Sequence, residues 1–114
     1  MAISSKIEQV VDSLMGYEPE QIILFGSLAR GDADEYSDID LIVIKDTDQR
    51  FVQRMVEAGF FISRDIAVDV FVYTPEEILS MIEDENPFIQ QALKEGIILY
   101  EKAPGNGPAL VGPG

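Results

Sequence analysis

The chain has 114 residues, 46% of them apolar, and carries 21 acidic against 8 basic residues for a net charge of −13. That is enough for one domain with a single core, and it excludes a largely disordered chain and any segment of the roughly 20 apolar residues a spanning helix needs. With neither cysteine nor histidine, disulfides, thiolate or imidazole metal sites, cysteine nucleophiles and Ser-His triads are excluded too, and the charge repels nucleic-acid backbones.

In chain order, Ser5 to Met15 reads as an amphipathic helix, with Ile7, Val10, Val11, Leu14 and Met15 on one stripe, Ser5 and Glu8 at capping-box spacing, and Gly16 as its stop. The N-terminus shows no apolar secretion signal, so a cytoplasmic location is expected. Gln21–Phe25 is a short buried strand closed by Gly26, and the polar stretch Ser27 to Ser37 opens with a turn or short helix. Asp38 to Ile44 is a second strand. Asp48 to Ala58 is helical, with Phe51, Val52, Met55 and Val56 inward and Gly59 as the break. Ala67 to Tyr73 is a third strand, rich in valine and aromatics.

Thr74-Pro75-Glu76-Glu77 is a helix start, with proline at the first helical position and Thr/Glu at capping-box spacing, and Ile78, Leu79 and Ile82 give that helix its face. Asn86-Pro87 opens another, carrying Phe88, Ile89, Ala92 and Leu93 and ending at Gly96; Ile97 to Tyr100 is a last strand. Residues 103–114 turn abruptly to glycine and proline and read as a flexible tail, leaving residues 1–102 as one domain. Helices alternating with short strands indicate one α/β domain with a small sheet, whose strand order the pattern does not give. Phe60-Phe61-Ile62 reads either as core or as an interface patch, the latter implying a homo-oligomer.

The chemistry concentrates between Phe25 and Val43. Gly26-Ser27 follows a buried strand, where unpaired backbone N–H groups favour an anion and glycine lets the chain approach a phosphate closely. Asp38 and Asp40, two apart on a strand, project from one face; at about 7 Å and an effective dielectric near 20 they repel by about 2 kcal/mol. A divalent cation is the natural compensation, and two carboxylates with a substrate phosphate suit Mg²⁺. Asp69 lies inside the apolar run Ala67-Val68-Asp69-Val70-Phe71-Val72, where a lone acid is costly unless paired or metal-bound. If that strand lies beside Asp38–Ile44, all three acids share one metal site. Arg30 is read either as a phosphate clamp or as a local partner of Asp32, Asp34 or Glu35. Lys45 and Arg64 are read as solvated surface, and Tyr36, Phe60, Phe61 and Tyr73 as packing.

Gly26-Ser27, ten residues, then Asp38-Ile39-Asp40, with a later aspartate in a hydrophobic strand, resembles the nucleotidyltransferase superfamily of DNA polymerase beta. The text LFGSLARGDADEYSDIDLIV, with VDVFVYTPEE and EGIILYE further on, looks like its minimal stand-alone members, the MNT-type antitoxins paired with HEPN ribonuclease toxins; the resemblance covers about residues 5–101. It implies a nucleotidyltransferase fold, a small mixed sheet with helices packed on it. It also implies that Asp38, Asp40 and Asp69 are catalytic and hold two Mg²⁺ ions, and that Gly26, Ser27 and Arg30 bind the nucleoside triphosphate, ATP. The implied reaction is transfer of AMP to a hydroxyl, such as a tyrosine's, of a HEPN-type toxin. The alternatives are an antitoxin that neutralises a basic toxin by binding alone and a free-standing transferase acting on a small molecule.

Overall fold

The computed structural model describes residues 3–32 and 38–102. Helix α1 (Ile3–Leu14) begins before the predicted boundary, so Ser5 lies inside it and the Ser5/Glu8 pair is not its cap. Val10 and Leu14 are buried and Ile7, Val11 and Met15 half-buried, as the stripe predicts. A 3-10 turn (Met15–Tyr17) carries the chain past Gly16, and the left-handed residue that reverses it is Glu18 (φ 61°), not the glycine.

Next come β1 (Gln21–Phe25), the four-residue helix α2 (Ser27–Arg30), β2 (Ile39–Ile44), α3 (Phe51–Gly59), β3 (Val68–Tyr73), α4 (Pro75–Glu83), α5 (Pro87–Glu95) and β4 (Ile97–Glu101). The sheet runs β3-β2-β1-β4. β1 is antiparallel to β2 and β4, while β2 and β3 are parallel. A parallel pair needs a crossover, and α3 supplies it.

Alternation along the strands divides the core in two. Ile22, Leu24, Leu41 and Val43 face Val10 and Leu14 of α1 and Ala58 of α3. Ile23, Ile42 and Ile44 face Ile78 of α4 and Ile89 and Ala92 of α5. β2 is covered on both sides, which is why Leu41-Ile42-Val43-Ile44 reads as an unbroken apolar run.

Helix α3 reverses most of its predicted face. Val52 (70% exposed) and Val56 (52%) look into solvent, whereas Arg54 (6%) is buried with Ala58. The guanidinium tolerates this because its donors are used. Nε donates to the Gln49 carbonyl (2.7 Å), Nη1 to the Val72 carbonyl (3.2 Å) and to Glu77 Oε1 (2.7 Å), and Nη2 to Glu77 Oε2 (3.1 Å). Periodicity alone assigned the valines inward because it had no way to see those acceptors. Val52→Gln and Val56→Gln are each expected to stay within about 0.5 kcal/mol of the parent in denaturant unfolding.

The predicted cap of α4 is present: Thr74 Oγ1 accepts from the Glu77 N–H (3.1 Å), and Glu77 Oε1 accepts from the Thr74 N–H (2.9 Å). Ile78 and Met81 do the packing there, while the expected Leu79 (43% exposed) and Ile82 (37%) stay partly in solvent. In α5 the Asn86 side chain accepts from the Ile89 N–H (3.1 Å) ahead of Pro87. Phe60 is 81% exposed rather than core; Phe61 reaches the Tyr17 ring, and Ile62 is half-buried. Lys45 is not merely solvated: its Nζ donates to the Tyr17 carbonyl (2.5 Å) and lies over the Tyr17 ring. Among the described residues no helix is long and apolar enough to cross a membrane.

Candidate active site

The face covered by α4 and α5 is left open at one end, where three strands bring a row of side chains together. Asp40 on β2 stands between Phe25 on β1 and Asp69 on β3 as their register partner. Register partners project to the same side of a sheet, about 5 Å apart. Asp38 sits just before β2, exposed, and its spacing of two from Asp40 places it toward the same face. Asp38, Asp40 and Asp69 thus gather at one end of one face. Asp69 is exposed, not buried as its apolar neighbours predicted, because β3 is the edge of the sheet. The half-buried acid is Asp40, on the central strand.

Electrostatics follow the packing. Burial lifts the Asp40 carboxyl above the ordinary carboxylate range. The negative charges of Asp69 and Asp38, and a hydrogen bond with the Asp69 carboxyl, push it the same way, against the pull of the Arg30 cation. A cation placed between these acids relieves the repulsion.

Gly26 closes the site from the β1 side. Its backbone (φ 77°, ψ −157°) is open to few residues other than glycine, and a Cβ there would lie 2.2 Å from Asp40 Oδ2. Gly26→Ala is therefore expected to destabilise the fold by about 2 kcal/mol through strain and collision together. In denaturant unfolding, adding Asp40→Ala to that variant restores the part due to collision and leaves the part due to strain. Beyond Gly26, the Ser27 and Leu28 N–H groups open α2 and have no acceptor within the helix. The Gly26 carbonyl accepts from Ala29 and Arg30 (3.1 Å each).

Arg30 is exposed and forms the local pair the sequence allowed, Nε to Asp32 Oδ2 (3.2 Å). It also makes a contact that the sequence reading missed, Nη1 to Glu95 Oε1 on α5 (3.4 Å). Asp34, Glu35, Tyr36 and Ser37 lie outside the described residues, as does the stretch from residue 103. A second missed feature is aromatic. Phe88 of α5 packs edge-on against Phe25 (centroids 5.4 Å) and Phe71 (5.8 Å), walling the acidic row with apolar surface. The signal available in the sequence was the placement of Phe25 next to Gly26 and of Phe71 two residues after Asp69; Phe88 and Glu95 gave none.

The donor set is hard carboxylate oxygen, which selects Mg²⁺, Mn²⁺ or Ca²⁺ over softer metals. Among the described residues no group of three acids forms a ready-made cage for an ion. Mg²⁺ takes one or two carboxylates from a protein and completes its octahedron with water and substrate phosphate.

The family model described as Polymerase beta, Nucleotidyltransferase matches residues 6–104. A Methanocaldococcus jannaschii protein named "Putative protein adenylyltransferase" is 33% identical over 81 residues, covering 71% of this chain and 78% of its own length. A second protein of that organism with the same description is 34% identical over 87 residues, covering 71% of this chain; the chain spans only 58% of that relative. A crystal structure titled as a putative nucleotidyltransferase from Sulfolobus solfataricus superposes with a TM-score of 0.59 at 24% identity, covering 88% of this chain and 86% of the other, which establishes the shared fold.

Proposed function

Because this chain belongs to the polymerase beta nucleotidyltransferase family, we propose that it transfers AMP from ATP to a hydroxyl of a partner protein, a HEPN-type ribonuclease toxin, and so silences it. The observation that carries this reading is the juxtaposition of Asp40 with Asp69 across a parallel strand pair, with Gly26 packed on the Asp40 carboxylate. The names of the two Methanocaldococcus relatives support a protein as acceptor. The net charge of −13 supports a basic partner and disfavours nucleic acid.

In this mechanism Gly26 and the Ser27 N–H and hydroxyl hold the β- and γ-phosphates. Asp38, Asp40 and Asp69 hold Mg²⁺, which when bound neutralises phosphate charge and lowers the barrier to attack. Arg30 exchanges its exposed contact with Glu95 for a phosphate oxygen. The acceptor oxygen attacks the α-phosphorus, the bond to the β-bridging oxygen breaks, and pyrophosphate leaves. The hydroxyl proton passes to the Asp69 carboxylate and on to water. Positioning and charge complementarity carry most of the catalysis, which explains how a chain without histidine can perform it.

The test is incubation of the chain with α-³²P-labelled ATP, Mg²⁺ and the protein encoded by the neighbouring gene. Label is expected on that protein, and none with the Asp38→Ala/Asp40→Ala variant. Equal labelling by the variant, or toxin neutralisation that survives loss of all three acids, sinks the catalytic reading.

A further inference from the structure

Helix α3 turns apolar residues to solvent along one whole side. Val52, Val56 and Phe60, spaced by four, form a stripe that runs to its C-cap, and Phe60 is the most exposed large apolar side chain among the described residues. Met55 and Gly59, one position aside, carry the apolar surface from the stripe into a cavity of about 350 Å³ at the free edge of β3. Ile62, Ile66 and Val70 complete its lining and pack with the α1 and α3 side of the core. The cavity therefore opens on the sheet face opposite the acids, and Asp69, which alternation turns to the other side, stands only at its rim.

Charge decides what covers this surface. The stripe itself is uncharged. Exposed Arg50, the N-cap residue of α3, and exposed Arg64, four residues past Phe60, bound it at its two ends, and neither makes an ion pair among the described residues. Glu57, the one acid of α3, is half-buried and accepts from the Gln49 side chain (2.7 Å). A neutral strip between two arginines disfavours a basic partner and favours an acidic one. With a net charge of −13, the chain itself is such a partner. Shape points the same way. The projecting Phe60 ring adjoins Gly59, which lines the cavity and above which a Cβ would meet nothing within 4 Å. A projection and a hollow side by side on one element complement each other across a two-fold axis.

We propose that this face of α3 is the contact between two copies of the chain, paired about a two-fold axis near Gly59, with Phe60 of each filling the cavity of the other. The space suffices, since an apolar cavity of about 150 Å³ already takes up benzene. A standard interface buries about 800 Å² on each partner. The three stripe side chains offer on the order of 300 Å², so the cavity has to belong to the contact and the affinity stays modest. The acids remain open on the far face, which makes the pairing independent of the transferase reading.

Sedimentation velocity of the full chain between about 5 and 500 µM tests this, with a monomer–dimer equilibrium expected and a Kd on the order of 10 µM. Phe60→Ser removes the ring and Gly59→Trp fills the cavity; each is expected to raise that Kd at least tenfold. Gly59→Leu raises it by a smaller factor and serves if the tryptophan variant folds poorly. Both positions are exposed, so the far-UV circular dichroism of the variants is expected to match the parent. An equimolar mixture of Phe60→Ser and Gly59→Trp is expected to associate at least threefold more tightly than either variant alone, because one intact ring then meets one open cavity. The inference is overturned if the chain is a monomer at the highest concentration, if its dimer is indifferent to both substitutions, or if the mixture gains nothing. In a monomeric chain, movement of the ¹⁵N amide signals of Gly59 and Ile62 by Leu110→Asp assigns the cavity to the chain's own end. Movement only on adding the neighbouring gene's product assigns it to that protein, and either result overturns the inference.

Discussion

Asp40→Asn is expected to lower the proposed AMP transfer by roughly 10³-fold or more while making the ligand-free chain more stable, an opposite pair of effects that few other substitutions here should produce. The loss follows from position: Asp40 is the central acid of the row, with Asp69 in register, Asp38 two residues away and Gly26 on its carboxylate. The gain follows from charge. Folding raises the Asp40 pKa, through burial first and then through Asp69 and Asp38. The folded state therefore holds this proton more tightly than the unfolded state does. The parent's stability falls as pH climbs from the ordinary carboxylate range through the raised value, and then levels. Asparagine carries no such penalty. Thermal midpoints of parent and variant should agree in acid and separate as pH rises, the variant melting higher. Mg²⁺ with ATP should reverse the ranking at neutral pH by stabilising only the parent. A variant that is inactive but no more stable at pH 8 contradicts the assignment of Asp40 as the strained member of the site.

Glu77→Ala is expected to destabilise the chain by about 3 kcal/mol, more than Arg54→Met does, although Arg54 is the more buried partner. The asymmetry is the point. The Arg54 side chain is 7% exposed and that of Glu77 is 42% exposed. Removing Glu77 strands a cation inside the protein and also undoes the capping box with Thr74. Removing Arg54 in favour of a methionine leaves a carboxylate that water can reach and an apolar side chain where the guanidinium was, a change of about 1–2 kcal/mol. The half-solvated carboxylate keeps the Glu77 figure at the lower end of what broken buried pairs show. The pair also shapes the acid limb. Hydrogen bonds from Arg54 hold the Glu77 carboxyl below its ordinary range. Its contribution is present above the ordinary glutamate pKa and is lost as pH falls through the lowered value, opposite in sign to Asp40. Denaturant midpoints for Glu77→Gln should consequently change less between pH 6 and acid than those of the parent.

Both results turn on what could and could not be read along the chain. Local chemistry is legible in one dimension. Thr74-Pro75-x-Glu77 carries the signature of a capped helix start, and the spacing of two between Asp38, just ahead of β2, and Asp40 within it sets them toward one side because alternation is a property of extended chain itself. Gly26 next to Ser27 marks a close approach of backbone before any partner is known. The edges of burial are a different matter, because they depend on neighbours distant in sequence. Asp69 looked buried among valines until β3 proved to be the outermost strand, and the α3 valines looked inward until Arg54 found Glu77 and the carbonyls of Gln49 and Val72. Residue types and spacings were enough to single out the three acids and the Gly26-Ser27 turn as candidates. Only strand order could set Asp69 beside Asp40 and beside a cavity at once, because a parallel pairing joins residues whose separation along the chain carries no record of the contact.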